Sequence, residues 1–270
     1  MFAFVKKSPY LCGMEKETYI ELANLMETER EAENSPIRFC HRFVSDLKDC
    51  EIAGLLSSWL GYGYGKVWNG ALVSLIEDTM GSKPYEYVMS GEWNAFFENF
   101  HCLHRMNTFD NLYNLCSKLR NVYSKYGSIE DAVLEKASKA RRKGWTYGDS
   151  LCSLFSGGTL IQPASASSMD ARMERYARWM IRGGSPFDVG MWGGADRSRL
   201  VVFGSERNIT AAKTIGLISS SSQGRETIME MARKASDIFE GDPARMDFAL
   251  MAYSEIVDYG KDKGKFGIRG

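Results

Sequence analysis

A chain of 270 residues is long enough for one large core or two modest lobes. Hydrophobic residues make up 44% and charged residues 25%, the balance of an ordinary globular protein. Lys+Arg and Asp+Glu both number 34, so net charge gives no hint of nucleic acid, and any DNA-binding surface must come from local clustering.

The N-terminal stretch from Met1 to Lys7 is too short for a signal peptide, and no apolar run reaches the length of a membrane span. A cytoplasmic protein with no membrane partner is expected. The helical period then recurs along the chain. Ile52, Leu55, Leu56, Trp59 and Leu60 share one face, and Leu112, Leu115, Cys116, Leu119 and Val122 share another. Ser128 with Asp131 three residues later reads as a capping box at a helix start. Met173, Tyr176, Ala177, Met180 and Ile181 repeat the spacing. Leu200 to Phe203 is a short β-prone run, read as an extended lead into a helix. Ser219 to Ser222 supply N-cap candidates for the helix that carries Ile228, Met231, Ala232, Ala235, Ile238 and Phe239. Met246, Leu250, Tyr253 and Val257 close the series. The prediction is an all-α protein of many short helices.

Loops are predicted at Gly61 to Gly65, Gly157-Gly158, Ala164 to Ser168, Gly183-Gly184 and Gly193-Gly194. Ser153 to Ser168 is the candidate crossing between two lobes. Residues 1–258 are read as one helical domain of two lobes, and 259–270 as a basic, flexible tail.

Several short motifs keep a shared order. They are Asp49-Cys-Glu51-Ile-Ala-Gly54, Gly61-Tyr-Gly63-Tyr64, Pro84-Tyr-Glu-Tyr87, Arg105-Met-Asn107-Thr108, Arg172 to Arg182, Asp188-Val-Gly-Met-Trp192, Ile215-Gly-Leu217 and Asp242 to Leu250. In this order the chain resembles an uncharacterised bacterial family related to the helix-hairpin-helix DNA glycosylases, over roughly Arg42 to Ile256. That resemblance implies a two-lobed, glycosylase-like helical fold and DNA as the partner. It also implies a mechanism in which a flipped-out base is held while a carboxylate stabilises the sugar cation. Bifunctional members add a lysine nucleophile.

At the positions where the family carries that lysine and that aspartate, the chain has Ala171 and Ser205. Alanine has no nucleophile, and serine carries no charge near neutral pH. Displaced carboxylates that could serve instead are Glu206, Asp170 and Glu51. The competing reading of Glu206 is a charge at a helix N-terminus, and that of Glu51 is a buried ion pair with Arg42 or Arg105. Nucleic-acid contacts are assigned by the resemblance and by residue type to Tyr62, Tyr64, Lys66, Arg105, Asn107, Arg172, Arg178, Arg182 and Arg207. Trp68 joins the tyrosines as a base-stacking or core residue. Arg178 and Arg182 either hold phosphate or pair with Asp188. Lys136, Lys139, Arg141, Arg142 and Lys143 form either a solvated helix end or a phosphate-contacting patch.

The six cysteines read as buried reduced thiols, and none follows Cys152, which excludes the iron-sulfur cluster of some glycosylases. His41, His101 and His104 have no metal-ligand spacing, so no cofactor and no metal are expected. Three readings follow. The first is a DNA-binding protein that recognises or acts on a flipped base, with classical glycosylase chemistry in doubt. The second is a transferase that hypermodifies thymine in phage-type DNA, and the third is a non-catalytic interaction protein on a glycosylase-like scaffold.

Overall fold

The structure, a computed structural model, describes residues 14–62, 65–165 and 167–265. It is all-α apart from one two-stranded hairpin, as the helical periodicity predicts. The chain forms two compact units, Thr28–Leu200 and the remainder, Met1–Glu27 with Val201–Gly270. The chain passes between units at 27/28 and at 200/201, so Ser153 to Ser168, expected to cross between lobes, lies wholly inside the first unit.

The larger unit carries α1's successors in chain order. After α1 (Lys16–Met26) come α2 (Glu29–Glu33), α3 (Ile37–His41), α4 (Leu47–Leu60) and α5 (Gly65–Val73), which runs on into a π-helical turn at Ser74–Thr79. Then follow α6 (Pro84–Ser90), the hairpin β1 (Cys102–His104) and β2 (Asn107–Thr108), α7 (Phe109–Tyr126), α8 (Ile129–Lys139), α9 (Tyr147–Phe155) and α10 (Ala171–Ile181). Helix α4 is the axis of this unit. The expected apolar stripe covers one face, yet every residue from Cys50 to Leu60 is buried, because α3, α6 and α10 pack around it. Trp59, Trp179, Trp192, Tyr176 and Phe155 fill the core.

Short polar side chains start these helices by accepting from otherwise unpaired first-turn amides. Asp46 does so for α4, Thr108 for α7, Thr146 for α9 and Asp170 for α10. Ser128 takes the Asp131 amide at 3.0 Å, one half of the expected capping box, while the Asp131 carboxylate accepts from the Ser128 hydroxyl at 2.7 Å. Sequence periodicity gives no sign of the hairpin, whose paired segments are too short to show alternation; it pairs Cys102 with Thr108 and His104 with Asn107.

The smaller unit contains α1, α11 (Glu206–Thr214), α12 (Arg225–Ile238) and α13 (Met246–Lys265). Tyr19, Leu22 and Met26 are the buried face of α1, which packs along α13. Arg245 ties the unit together, its guanidinium 2.7 Å from Glu27 and 2.6 Å from Asn24. Val201 and Val202 are buried in an extended segment that leads into α11, as expected. Gly224, not a residue of the serine run, stands at the N-cap of α12; Ser222 instead accepts from the Gly224 amide inside the preceding loop. The segment read as a basic tail from 259 continues α13 to Lys265, and 266–270 lie outside the described residues.

Gly148 shows how tightly α9 meets α10. A β-carbon there would run into the Glu174 carboxylate, which is buried and accepts the Thr146 hydroxyl proton at 2.5 Å. Helix propensity alone favours alanine over glycine by about 1 kcal/mol. Overpacking a closed site costs about 1–3 kcal/mol. Gly148→Ala is therefore expected to lower the urea midpoint despite its better propensity. An unchanged or raised midpoint would show that Glu174 moves aside without loss.

Candidate functional site

Helix α4 positions the residues of interest at both of its ends. Near its start, Glu51 is fully buried, and its carboxylate gathers four donors. Tyr123 Oη lies at 3.0 Å and the Ile129 amide at 3.0 Å from Oε2, while the Glu130 amide and Trp192 Nε1 each lie at 2.9 Å from Oε1. Tyr176 Oη donates to the Glu51 backbone carbonyl at 2.9 Å. The expected ion pair with Arg42 or Arg105 is not formed. Arg42 instead meets Glu77 at 2.5 Å, and Arg105 stands over the Tyr62 ring. The partner of Glu51 is the N-terminus of α8, whose free amides supply partial positive charge without a cation.

The other end of α4 meets α10 and the hairpin. Arg175 donates to the Ser58 and Gly61 carbonyls at 2.8 and 3.2 Å, and so caps the C-terminus of α4 with a cation. Burial is the main cause that lowers its pKa, to about 10, so it stays charged at neutral pH. Gly61 is required there because a β-carbon would strike the Ser57 carbonyl and the Pro36 ring. Tyr62 follows. Its ring lies edge-on to His104 with centroids 5.2 Å apart, its hydroxyl accepts from Asn107 Nδ2 at 3.1 Å, and the Arg105 guanidinium lies 5.5 Å from its centroid. Burial lowers the pKa of His104, and Arg105 adds to this, which favours the neutral ring. Asn107 is buried, and its Oδ1 has no hydrogen-bond partner among the described residues.

Between His104 and Asn107 the hairpin turns through Arg105 and Met106. Arg105 has φ 54°, the left-handed region that glycine prefers, and Met106 is 79% exposed. The Gly157 to Asp170 loop is pinned nearby in sequence to α7 and α10. Asn111 holds the Gly158 carbonyl at 2.7 Å, and Arg172 holds the Leu160 carbonyl at 2.6 Å. Leu160 is itself at φ 59° and partly exposed.

Thus the structure brings Tyr62, Arg105 and Asn107 together, although they come from two separate motifs. Asp170 and Arg172 also meet, at 2.8 Å, with Asp170 capping the helix that Ala171 opens. Arg178 and Arg182 are buried and bind Asp188 at 3.1 and 2.6 Å, which selects the pairing with Asp188 from the two readings offered for them. Burial is the main influence raising the pKa of Asp188, and the two guanidiniums oppose it. Lys66 is exposed on α5, and Trp68 is buried in the core. Tyr64 lies outside the described residues.

In the smaller unit, Ser205 N-caps α11 by accepting from the Asn208 amide at 3.1 Å. Glu206 opens that helix and is exposed, and Arg207 lies 3.8 Å from Glu255. The sequence reading missed Arg175, His104 and Met106. The regular i, i+3 and i+4 spacing of Arg172, Arg175, Arg178 and Arg182 was the available signal for the first. For the other two, the signal was their position beside Arg105 and Asn107.

The cysteines described are free; Cys40, Cys50, Cys116 and Cys152 are buried, whereas Cys102 on β1 is exposed, contrary to the expectation of uniform burial. Cys12 lies outside the described residues. Among the described residues no helix is long and apolar enough to cross a membrane, and no three His, Cys, Asp or Glu side chains converge as a metal site requires.

Residues 35–255 match the family described as a protein of unknown function (DUF2400), and the chain belongs to that family. No curated protein and no solved structure matches it.

Burial pushes the Glu51 pKa up to about 6 against the pull of its four donors. The folded protein therefore holds this proton more tightly than the unfolded chain, and ionising Glu51 costs stability as pH rises from about 4.5 to about 6. The stability of the wild type minus that of Glu51→Gln is expected to fall by about 2 kcal/mol across that window and to stay level above it. Urea unfolding at a series of pH values measures this; a difference that rises with pH would show that the donors outweigh burial.

Proposed function

We propose that the chain is a DNA-binding protein of the helix-hairpin-helix glycosylase superfamily that holds a base extruded from the duplex. The observation that carries this reading is the hairpin tip. A largely exposed methionine is the second residue of a two-residue turn whose first residue, Arg105, is in a left-handed conformation. An exposed apolar side chain costs nothing in folding terms if it is isolated, but here it follows Arg105, whose guanidinium stands over the Tyr62 ring. Proteins that open a base step use such apolar wedges, with cations close by for phosphate. Tyr62 then supplies a half-buried π-face, and the buried Asn107 amide donates to its hydroxyl.

The chemistry that follows extrusion is constrained by Ala171 and Ser205. Ala171 offers no nucleophile, and the Ser205 hydroxyl is occupied in capping α11. Glu51 and Asp170 each accept several protein donors, which leaves Glu206 as the exposed candidate carboxylate. The two substitutions favour chemistry on the base, as in a thymine-modifying transferase, or recognition alone, over attack on the sugar.

Wild-type protein at low salt is expected to bind a duplex that contains a mispaired or damaged base about tenfold more tightly than a matched duplex, a difference of about 1.4 kcal/mol. Met106→Ala is expected to erase that preference. Alkali treatment should reveal no strand products. Base release abolished by Glu206→Ala would instead establish a glycosylase with a displaced carboxylate, and absence of DNA binding at low salt would overturn the reading.

A further inference from the structure

A second surface lies away from the hairpin in the sequence, on the same unit. Arg141, Arg142 and Lys143 follow α8, and Arg197 and Arg199 lie on a short 3-10 turn some fifty residues further on; all five are exposed. The fold joins them through two aromatic residues. The Arg142 guanidinium stands 5.0 Å from the Trp145 ring centroid, and that of Arg199 stands 5.0 Å from Tyr147. Tyr147 Oη accepts the Asp196 amide at 2.9 Å, and the Gly194 amide donates to Glu130 on α8 at 2.7 Å, so the 193–199 loop is fixed against α8 and the start of α9.

The carboxylates in this surface are already engaged with protein donors. Asp149 is buried and accepts from the Thr146 amide and Arg142, Asp196 accepts from the Ser198 amide and hydroxyl, and Glu130 accepts from Gly194. An arginine laid on an aromatic face keeps its outer N–H edge in a fixed plane, which suits phosphate oxygens and lowers the entropy lost on binding them. Balanced overall charge makes such local clustering the place to look for a polyanion site.

We propose that the 141–147 and 193–199 segments form a binding surface for the sugar-phosphate backbone of nucleic acid, with Arg141, Lys143 and Arg199 meeting phosphates. It rests on the DNA-binding reading above for the nature of the polyanion; the clustering itself is independent of the hairpin. Such cations release counterions from the backbone, so each adds to the salt dependence of binding without reading sequence.

The test is a salt titration of binding by the full chain to a fluorescein-labelled matched duplex. The triple variant Arg141→Ala, Lys143→Ala, Arg199→Ala is expected to bind at least about tenfold more weakly near physiological salt. The slope of log affinity against log salt should become shallower by about 0.9 for each of these cations removed. Arg199→Lys, which keeps the charge, should keep the slope. Single Arg141→Gln and Lys143→Gln variants serve if the triple variant does not fold, each lowering the slope by about 0.9. Wild-type affinity and slope in these variants would overturn the surface while leaving the base-extrusion reading intact. Loss of mispair preference in Met106→Ala together with a shallower slope in the triple variant supports both readings, since each change moves one readout. A patch-dependent slope without any mispair preference in the wild type would overturn base extrusion alone. Binding to phosphatidylserine vesicles, with no binding to duplex, would overturn the nucleic-acid partner and assign the surface to anionic lipid.

Discussion

The larger unit is organised around one carboxylate. Glu51 sits on the helix that α3, α5, α6 and α10 pack against, and its two oxygens collect donors from α7, from the first turn of α8 and from Trp192, beyond α10. No cation is involved. The charge is met by a phenol, an indole and two amides of a helix N-terminus, so its energy depends on the orientation of those dipoles. Burial still wins over them, since the pKa rises to about 6. Any packing in which α8 or Trp192 is rotated out of place would strip donors from a buried carboxylate, so Glu51 favours the arrangement in which all four are met.

The same principle governs the other end of α4. Its last carbonyls lack intrahelical partners, and the Arg175 guanidinium from α10 takes two of them. Two helix termini are thus locked by charge: an anion on α4 at the start of α8, and a cation on α10 at the end of α4. Trp192 returns to Glu51 and Tyr176 to its backbone, so α10 and the loop after it are tied to both ends of the same helix. The hairpin that carries Met106 grows from this locked framework through Tyr62, the second residue past the end of α4.

The helices were legible because their stripes and caps are local. Leu112 to Val122, Met173 to Ile181 and Ser128 with Asp131 became α7, α10 and the start of α8 with no tertiary information. What the sequence did not disclose depends on long-range geometry. The four donors of Glu51 lie between 72 and 141 residues away, so its environment had no local trace, and a salt bridge was the natural guess for a buried acid. The hairpin was hidden because two and three residues are too few to show a period of two. The serine run before α12 looked like a cap, but the helix begins at Gly224, where the backbone turns into the helix without a side-chain acceptor. Tyr62, Arg105 and Asn107 were visible as motif residues, but their meeting around one ring is a product of the fold.

The distribution of carboxylates bears on what chemistry the chain can support. A general base or a cation-stabilising carboxylate needs a lone pair open to the substrate. Glu51 has committed its acceptors to four donors, Asp170 to the Arg172 amide and guanidinium, and Asp188 to two arginines. Freeing any of them would leave a buried donor or cation unpaired, at a cost of about 1–3 kcal/mol for each neutral donor and more for a charged one. Ala171 and Ser205 add no replacement. The Ser205 hydroxyl is drawn into capping α11, where it accepts from the Asn208 amide and starts the helix without a charge.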